Sequence, residues 1–175
     1  LGPEFEPMGD DVGVHGLPVR IRHVPTGIVL VLIPPGEFVM GLEKAGADRI
    51  ARHLGFERGD DLWAWEAYPQ RNVYLDGFFI DKYEVTVERW QRFVAATCHR
   101  SSSSETSRHF DQPAAKLLPA ASMTWAEAGQ YGSWAGKSLP TEAQWEKAAR
   151  GTDGRAYPWG NSPPSESHGH FGQAP

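Results

Sequence analysis

A single cysteine, Cys98, is the only thiol in 175 residues, so no internal disulfide can staple this chain. That scarcity favours a reducing compartment, the cytoplasm slightly ahead of others, and no targeting signal is legible. No apolar run approaches the roughly 18 to 20 residues that cross a bilayer. The longest, Ile28 to Ile33, has the length of a strand, so no membrane span is expected. Basic residues are also short: 17 Lys and Arg against 22 Asp and Glu leave a formal charge of −5 with no basic stripe. Nucleic-acid binding therefore lacks its electrostatic footprint. A glycine-rich phosphate loop, a nucleophile elbow and a His-Glu-x-x-His helix are missing as well, which leaves kinase and hydrolase readings without their minimal parts.

What the chain has in quantity is turn formers and aromatics. Nineteen glycines and fourteen prolines argue for short elements joined by ordered loops, against a helical bundle or a doubly wound sheet. With 40% hydrophobic residues the chain can still bury a core, and seven tryptophans are its largest anchors. The expectation is one α+β domain, loop-rich, with short strands and about three short helices. Leu1 to Phe5 has the character of a vector or protease-site scar, and residues 1–18 as a whole form an expected flexible lead-in to a domain over 19–175.

Arg20 to Val24 alternates, Pro25-Thr-Gly27 turns, and Ile28 to Ile33 runs apolar, which predicts a β-hairpin. Glu37 to Gly41 gives a further short strand, and Asn72 to Asp81 predicts a strand pair about Asp76-Gly77. Lys44 to Trp65, interrupted by Gly55 and Gly59, is expected to be a variable insertion loop, and Cys98 to Ser107 a polar one. Thr86 can cap a helix whose Val87, Trp90, Phe93 and Val94 form an inner face. Thr124-Trp-Ala-Glu127 is a capping box for a helix with Ala128, Tyr131 and Trp134 on one side and Gly136 at its end. A second box joins Thr141 to Gln144; here Ala143, Trp145, Ala148 and Ala149 form the expected apolar stripe, Glu142, Glu146 and Lys147 face elsewhere, and Gly151 ends the helix. This predicts a short helix docked by its tryptophan.

Phe38-Val-Met-Gly41, Phe79-Ile-Asp-Lys-Tyr-Glu-Val-Thr86, Ser122-Met-Thr-Trp-Ala-Glu-Ala128 and Lys137 to Gly151 with Tyr157-Pro-Trp-Gly-Asn161 occur in order. Together they closely resemble the formylglycine-generating enzyme family, also called sulfatase-modifying factors. The resemblance spans roughly Val29 to Asn161 and implies a C-type-lectin-like fold of the formylglycine-generating-enzyme type. It implies an oxidoreductase that converts a cysteine of a protein or peptide substrate to formylglycine, with copper at a late cysteine pair and calcium in some relatives. Other relatives are binding proteins, so the alternative is a non-catalytic lectin-like module presenting loops, here 43–65 and 98–111, to a protein or small-molecule partner.

The cysteine pair, and the Gly-Asn-Val-Trp-Glu-Trp motif that precedes it in the oxidising members, do not occur in residues 1–175. An N-terminal portion of the domain is therefore the expectation, with no catalytic or cofactor-binding residue identifiable in this chain. Cys98 suits a small residue at a helix end better than one half of a Cu(I) site, which needs two thiolates. The candidate metal ligands are His168 and His170, which would point the same way from an extended segment; the competing reading is a solvated polar tail. Calcium-binding relatives place an oxygen-donating Asn after the Pro-Trp-Gly-Asn turn. His170-Phe171 stands in that region here, and imidazole is a poor ligand for a hard cation. Glu84 and Glu142 match family motif positions, and a carboxylate beside a helix N-terminus has a structural job without catalysis.

Overall fold

The computed structural model describes residues 2–53, 67–99 and 115–169. They divide into two compact units, Leu1–Val31 with Ile80–Pro140, and Leu32–Phe79 with Thr141–Pro175. The elements are mixed and short: strands β1 Phe5–Pro7, β2 Arg20–His23, β3 Ile28–Ile33, β4 Gly36–Met40, β5 Arg71–Leu75 and β6 Phe78–Asp81, with helices α1 Lys44–His53, α2 Val87–Thr97, α3 Trp125–Trp134 and α4 Glu142–Arg150.

The predicted hairpin is present. β2 and β3 pair antiparallel with Ile21 opposite Leu30, and their inward residues Ile21, Ile28 and Leu30 are nearly fully buried. β1 adds to the free edge of β2, with Phe5 opposite His23 and their rings 5.0 Å apart. This strand lies within the stretch expected to be a flexible lead-in. Pro7 is tolerated there because an edge strand has one side of its backbone unpaired. The order across the sheet is β1-β2-β3-β6, and β4 and β5 form a separate two-stranded sheet.

β5 and β6 therefore do not pair with each other, which corrects the strand pair expected about Asp76-Gly77. Proline interrupts the chain between β3 and β4, and Gly77 interrupts it between β5 and β6; a Cβ on Gly77 would meet Pro35 Cδ at 3.0 Å. The two breaks abut, so both chain segments change sheets at one point. Lys44–His53, expected to belong to an insertion loop, is a helix started by the Glu43 carbonyl, which accepts from Gly46 and Ala47 N–H, and supported by a Lys44–Asp48 ion pair at 3.1 Å. Residues 54–66 of that expected loop and 100–114 of the polar one lie outside the described residues.

In the first unit, Trp90, Phe93, Tyr131 and Ala135 make the core, as the stripe on α2 predicted, with Val85, Val94, Ala120 and Met123 packed against it. Thr86 stands at the N-cap of α2, yet its side chain makes no capping bond. The first N–H groups of the helix go instead to carbonyls of the preceding segment in space: Val87 to Leu118 and Glu88 to Lys116, at 2.9 and 3.0 Å. Thr124 and Glu127 do form the predicted capping box on α3. Trp134 is 39% exposed, so Tyr131 and Ala135 dock α3 in its place.

In the second unit the Thr141–Gln144 box also forms, but the helix it starts is not docked by its tryptophan. Trp145 is 63% exposed while Lys147 is 2% exposed. The lysine stem fills the interior, and Nζ donates to the Pro34 and Gly36 carbonyls, both at 2.8 Å. Next to it Glu146 Oε1 accepts the Gly41 N–H at 2.7 Å, and Arg150, one turn on and paired with Glu146, donates to the Gly41 carbonyl at 3.0 Å. The charged face of α4, and not the alanine and tryptophan stripe, binds the ends of β4. Gly41 has φ +85°, and a Cβ there would lie 2.4 Å from the Ala67 carbonyl oxygen.

Gly41→Ala is expected to cost at least about 2 kcal/mol in urea unfolding, whereas Gly129→Ala, with open space above an α3 position, should stabilise by about 0.5–1 kcal/mol. Lys147→Met, which keeps the stem but removes the donor to two partly buried carbonyls, should cost about 2 kcal/mol at neutral pH. Burial lowers the Lys147 pKa, so the unfolded chain binds more protons just below the ordinary lysine value of about 10.4. This group's contribution to stability therefore rises with pH in that window. Tyr131 has the opposite sign: burial first, and Asp81 second, raise its phenol. Its contribution is full below about pH 10 and is lost as the pH climbs through the folded value. Unfolding series from about pH 8 to 11 should show a steeper alkaline loss in Lys147→Met and a shallower one in Tyr131→Phe.

Candidate functional site

An open groove of about 600 Å³ lies between α2 and α3, in the first unit. Its walls follow from how α2 ends. Cys98 takes the left-handed conformation, φ 52°, at the C-cap, and this turns His99 back over the helix end. The His99 ring then rests 5.1 Å from Phe93 and meets Trp90 edge-on at 6.0 Å. Across the groove α3 presents Trp125, 81% exposed at the rim, and a floor of Ala126 and Gly129, where the missing side chain leaves space open. Gln130, Ser133 and Thr97 supply polar edges, though the two hydroxyls already donate to the backbone carbonyls of Gly129 and Phe93.

Glu127 links the helix start to the groove. Its Oε2 accepts from Thr124 N–H at 2.7 Å and from Thr124 Oγ1 at 2.8 Å, completing the cap. Its Oε1 faces His99 Nε2 at 3.4 Å, and both side chains are largely buried. The capping box was legible from Thr124 and Glu127, but the second use of Glu127 was not, because His99 lies 28 residues away in an irregular stretch. The groove as built offers an aromatic wall, an imidazole and an amide.

The sequence-predicted residues are dispersed. Cys98 is exposed at the end of α2, as a helix-end residue. Glu84 is exposed before α2, and Glu142 is exposed in the first turn of α4. His168 belongs to the second unit, stacked on Trp159 at 4.4 Å and 7°, and Trp159 stacks in turn on Tyr157 at 5.1 Å and 1°. The His168 Nδ1 also lies 3.2 Å from the Ser165 N–H and 2.9 Å from its hydroxyl. His170 lies outside the described residues.

Neither implied metal fits the residues that are described. Cu(I) needs two thiolates, and Cys98 is the only cysteine of the chain. No group of three or more His, Cys, Asp or Glu side chains gathers among the described residues, and Asn161 Oδ1, an oxygen donor of the kind a hard cation takes, accepts the Ala156 N–H at 2.9 Å. Among the same residues no helix is long and apolar enough to cross a membrane.

Comparison with known proteins agrees with the ordered motifs. Residues 21–174 match the model of the sulfatase-modifying factor enzyme 1-like domain. Among individual proteins, the chain is 33% identical over 144 residues to the uncharacterized protein YfmG of Bacillus subtilis, covering 75% of this chain and 27% of that protein. It is 30% identical over 173 residues to the formylglycine-generating enzyme of Mus musculus, covering 75% of this chain and 42% of the enzyme. It is also 29% identical over 157 residues to a second mouse protein, inactive C-alpha-formylglycine-generating enzyme 2, covering 75% of this chain and 51% of that protein. The chain thus spans between about a quarter and about half the length of these relatives. With the match running through both units and all four motifs, the chain belongs to the formylglycine-generating enzyme, or sulfatase-modifying factor, family.

Proposed function

We propose that this chain is the N-terminal portion, over residues 19–175, of a formylglycine-generating-enzyme-like oxidoreductase of C-type-lectin-like fold, acting on a cysteine of a protein substrate. The observation that carries the proposal is the family match over residues 21–174. Within the motifs that carry the resemblance, Thr124, Glu127, Thr141, Gln144, Glu146, Lys147 and Arg150 are all engaged in capping or in binding backbone. Their work is to hold a scaffold, which is what a family frame shared by catalytic and inactive members requires. In this reading the cysteine pair that would bind copper is carried outside residues 1–175, and this chain supplies the framework against which the substrate is held.

One observation favours a second reading. A relative named as inactive matches this chain as well as the named enzymes do, and the groove between α2 and α3 has the lining of a binding site without a thiol. On that reading the domain is a non-catalytic module that recognises a protein or small-molecule partner.

The two readings separate in one experiment. The native gene is expressed with whatever follows Pro175, loaded with copper, and given a cysteine peptide, and aldehyde formation is followed with a hydrazine probe. The oxidoreductase reading expects an aldehyde, with Cys98→Ser as active as the parent because Cys98 is an exposed helix-end residue. No aldehyde, from a gene without a further cysteine pair, overturns it in favour of the binding module.

A further inference from the structure

The outer edge of β2 is read by side chains as well as by main-chain bonds. In the antiparallel register β1 places Phe5 opposite His23, Glu6 opposite Arg22 and Pro7 opposite Ile21. The pairing extends past both ends of the strand: Val24 N–H donates to the Glu4 carbonyl at 2.8 Å and Met8 N–H to the Arg20 carbonyl at 2.9 Å. On this ladder sits a charge pattern. Glu4 Oε2 lies 3.7 Å from His23 Nε2, and Glu6 Oε1 lies 3.3 Å from Arg22 Nη1, so a carboxylate stands on either side of the Phe5 ring. That ring rests 5.0 Å from the His23 ring.

His23 is the fixed point of the edge. It is 6% exposed, and its Nδ1 is engaged with Thr26 Oγ1 at 2.8 Å in the turn after β2, which leaves Nε2 aimed at the occupant. An imidazole anchored at one nitrogen and presented at the other is a contact formed before the occupant arrives.

Two facts separate this edge from the strand that covers it. β2 stands at the start of the family match, residues 21–174, and β1 lies before it. β1 is also lightly held: it is three residues long, one of them a proline without an N–H, and the Arg22–Glu6 pair is 46% and 52% exposed, where ion pairs contribute little. Another strand of like pattern can displace it.

We propose that the outer edge of β2, Arg20 to Val24, docks an extended acidic segment of another protein, with an aromatic side chain seated on His23 between two carboxylates, and that residues 4–8 occupy the edge in cis. The mode is strand addition, in which main-chain bonds supply affinity and the alternating side chains supply selection. A second copy of β2 does not fit, because pairing two such edges would bring Arg20 and Arg22 of both copies together. The inference uses neither the copper chemistry nor the groove, so it stands or falls apart from the function proposed above.

The test uses the full chain and a free peptide with the sequence of residues 4–8, Glu-Phe-Glu-Pro-Met, followed as amide chemical-shift changes across residues 20–24. In the parent chain the tethered strand competes at an effective concentration on the order of millimolar, so binding is expected to be weak. Phe5→Ser with Glu6→Pro removes the ring, one carboxylate and the N–H opposite Arg22, and hydrogen exchange at Val24 N–H should then quicken at least about tenfold as the edge is released. The released edge should bind the peptide at least about tenfold tighter than the parent does. Glu4→Gln with Glu6→Gln, which leaves backbone and ring in place, is the milder release and should shift the affinity in the same direction. Adding Arg22→Glu to either variant should weaken the peptide about tenfold, and Lys-Phe-Lys-Pro-Met should not compete. Val24 N–H as protected in the first variant as in the parent, a released edge that takes no peptide or takes the basic one equally well, or self-association in place of peptide binding would each overturn the proposal.

Discussion

A lysine ammonium on two backbone carbonyls is the constraint around which the second unit is organised. Between β3 and β4 the chain passes through Pro34 and Pro35, neither of which has an N–H to pair with a neighbouring strand. Lys147 reaches in from α4 and bonds Pro34 and Gly36, while Glu146 and Arg150 bond both backbone groups of Gly41 at the far end of β4. The helix thus grips a short strand at its two ends with charged side chains. Removing water from an ammonium is costly, and two well-placed carbonyls offset that cost in a way a lone ion pair at the surface would not. The alternative, apolar packing by Trp145, is not used; that ring faces solvent.

This explains which parts of the fold were legible in the sequence. Capping boxes at Thr124–Glu127 and Thr141–Gln144 were readable because their partners lie three residues apart and nothing distant intervenes. The β2–β3 hairpin and the Val87, Trp90, Phe93 stripe were readable for the same local reason. The face of α4 was not, because periodicity assigns a lysine to solvent unless the reader knows that two carbonyls more than a hundred residues earlier need a donor. Likewise the Thr86 cap looked complete, while the real donors' partners are Leu118 and Lys116, about 30 residues on. Of the groove, the Glu127 cap was legible and its His99 contact was not; His168, a candidate ligand on local spacing, stacks on Trp159 in the other unit.

A loop-rich domain makes such side-chain to backbone bonds a necessity. Each residue outside a sheet or helix still carries a donor and an acceptor that must be satisfied when buried. In this chain the side chains with fixed-direction or multiple donors do much of that work: Arg150 bonds the carbonyls of Gly41 and Arg155, and Arg155 that of Pro158. Family motifs dense in Glu, Lys, Arg and Thr near helix starts therefore signal scaffold, and the charged residues in them are poor guides to chemistry.

The core of the first unit departs from that rule, and the departure carries information. Among the described residues, buried side-chain polar atoms find partners, yet Asp81 Oδ1, Trp90 Nε1 and the Tyr131 hydroxyl have none there. Consistency between local choices and the fold is what makes a sequence fold to one structure, and breaches concentrate where something other than stability is at stake. Cys98, the single thiol, is exposed at the end of α2, and its left-handed backbone brings His99 over the helix end.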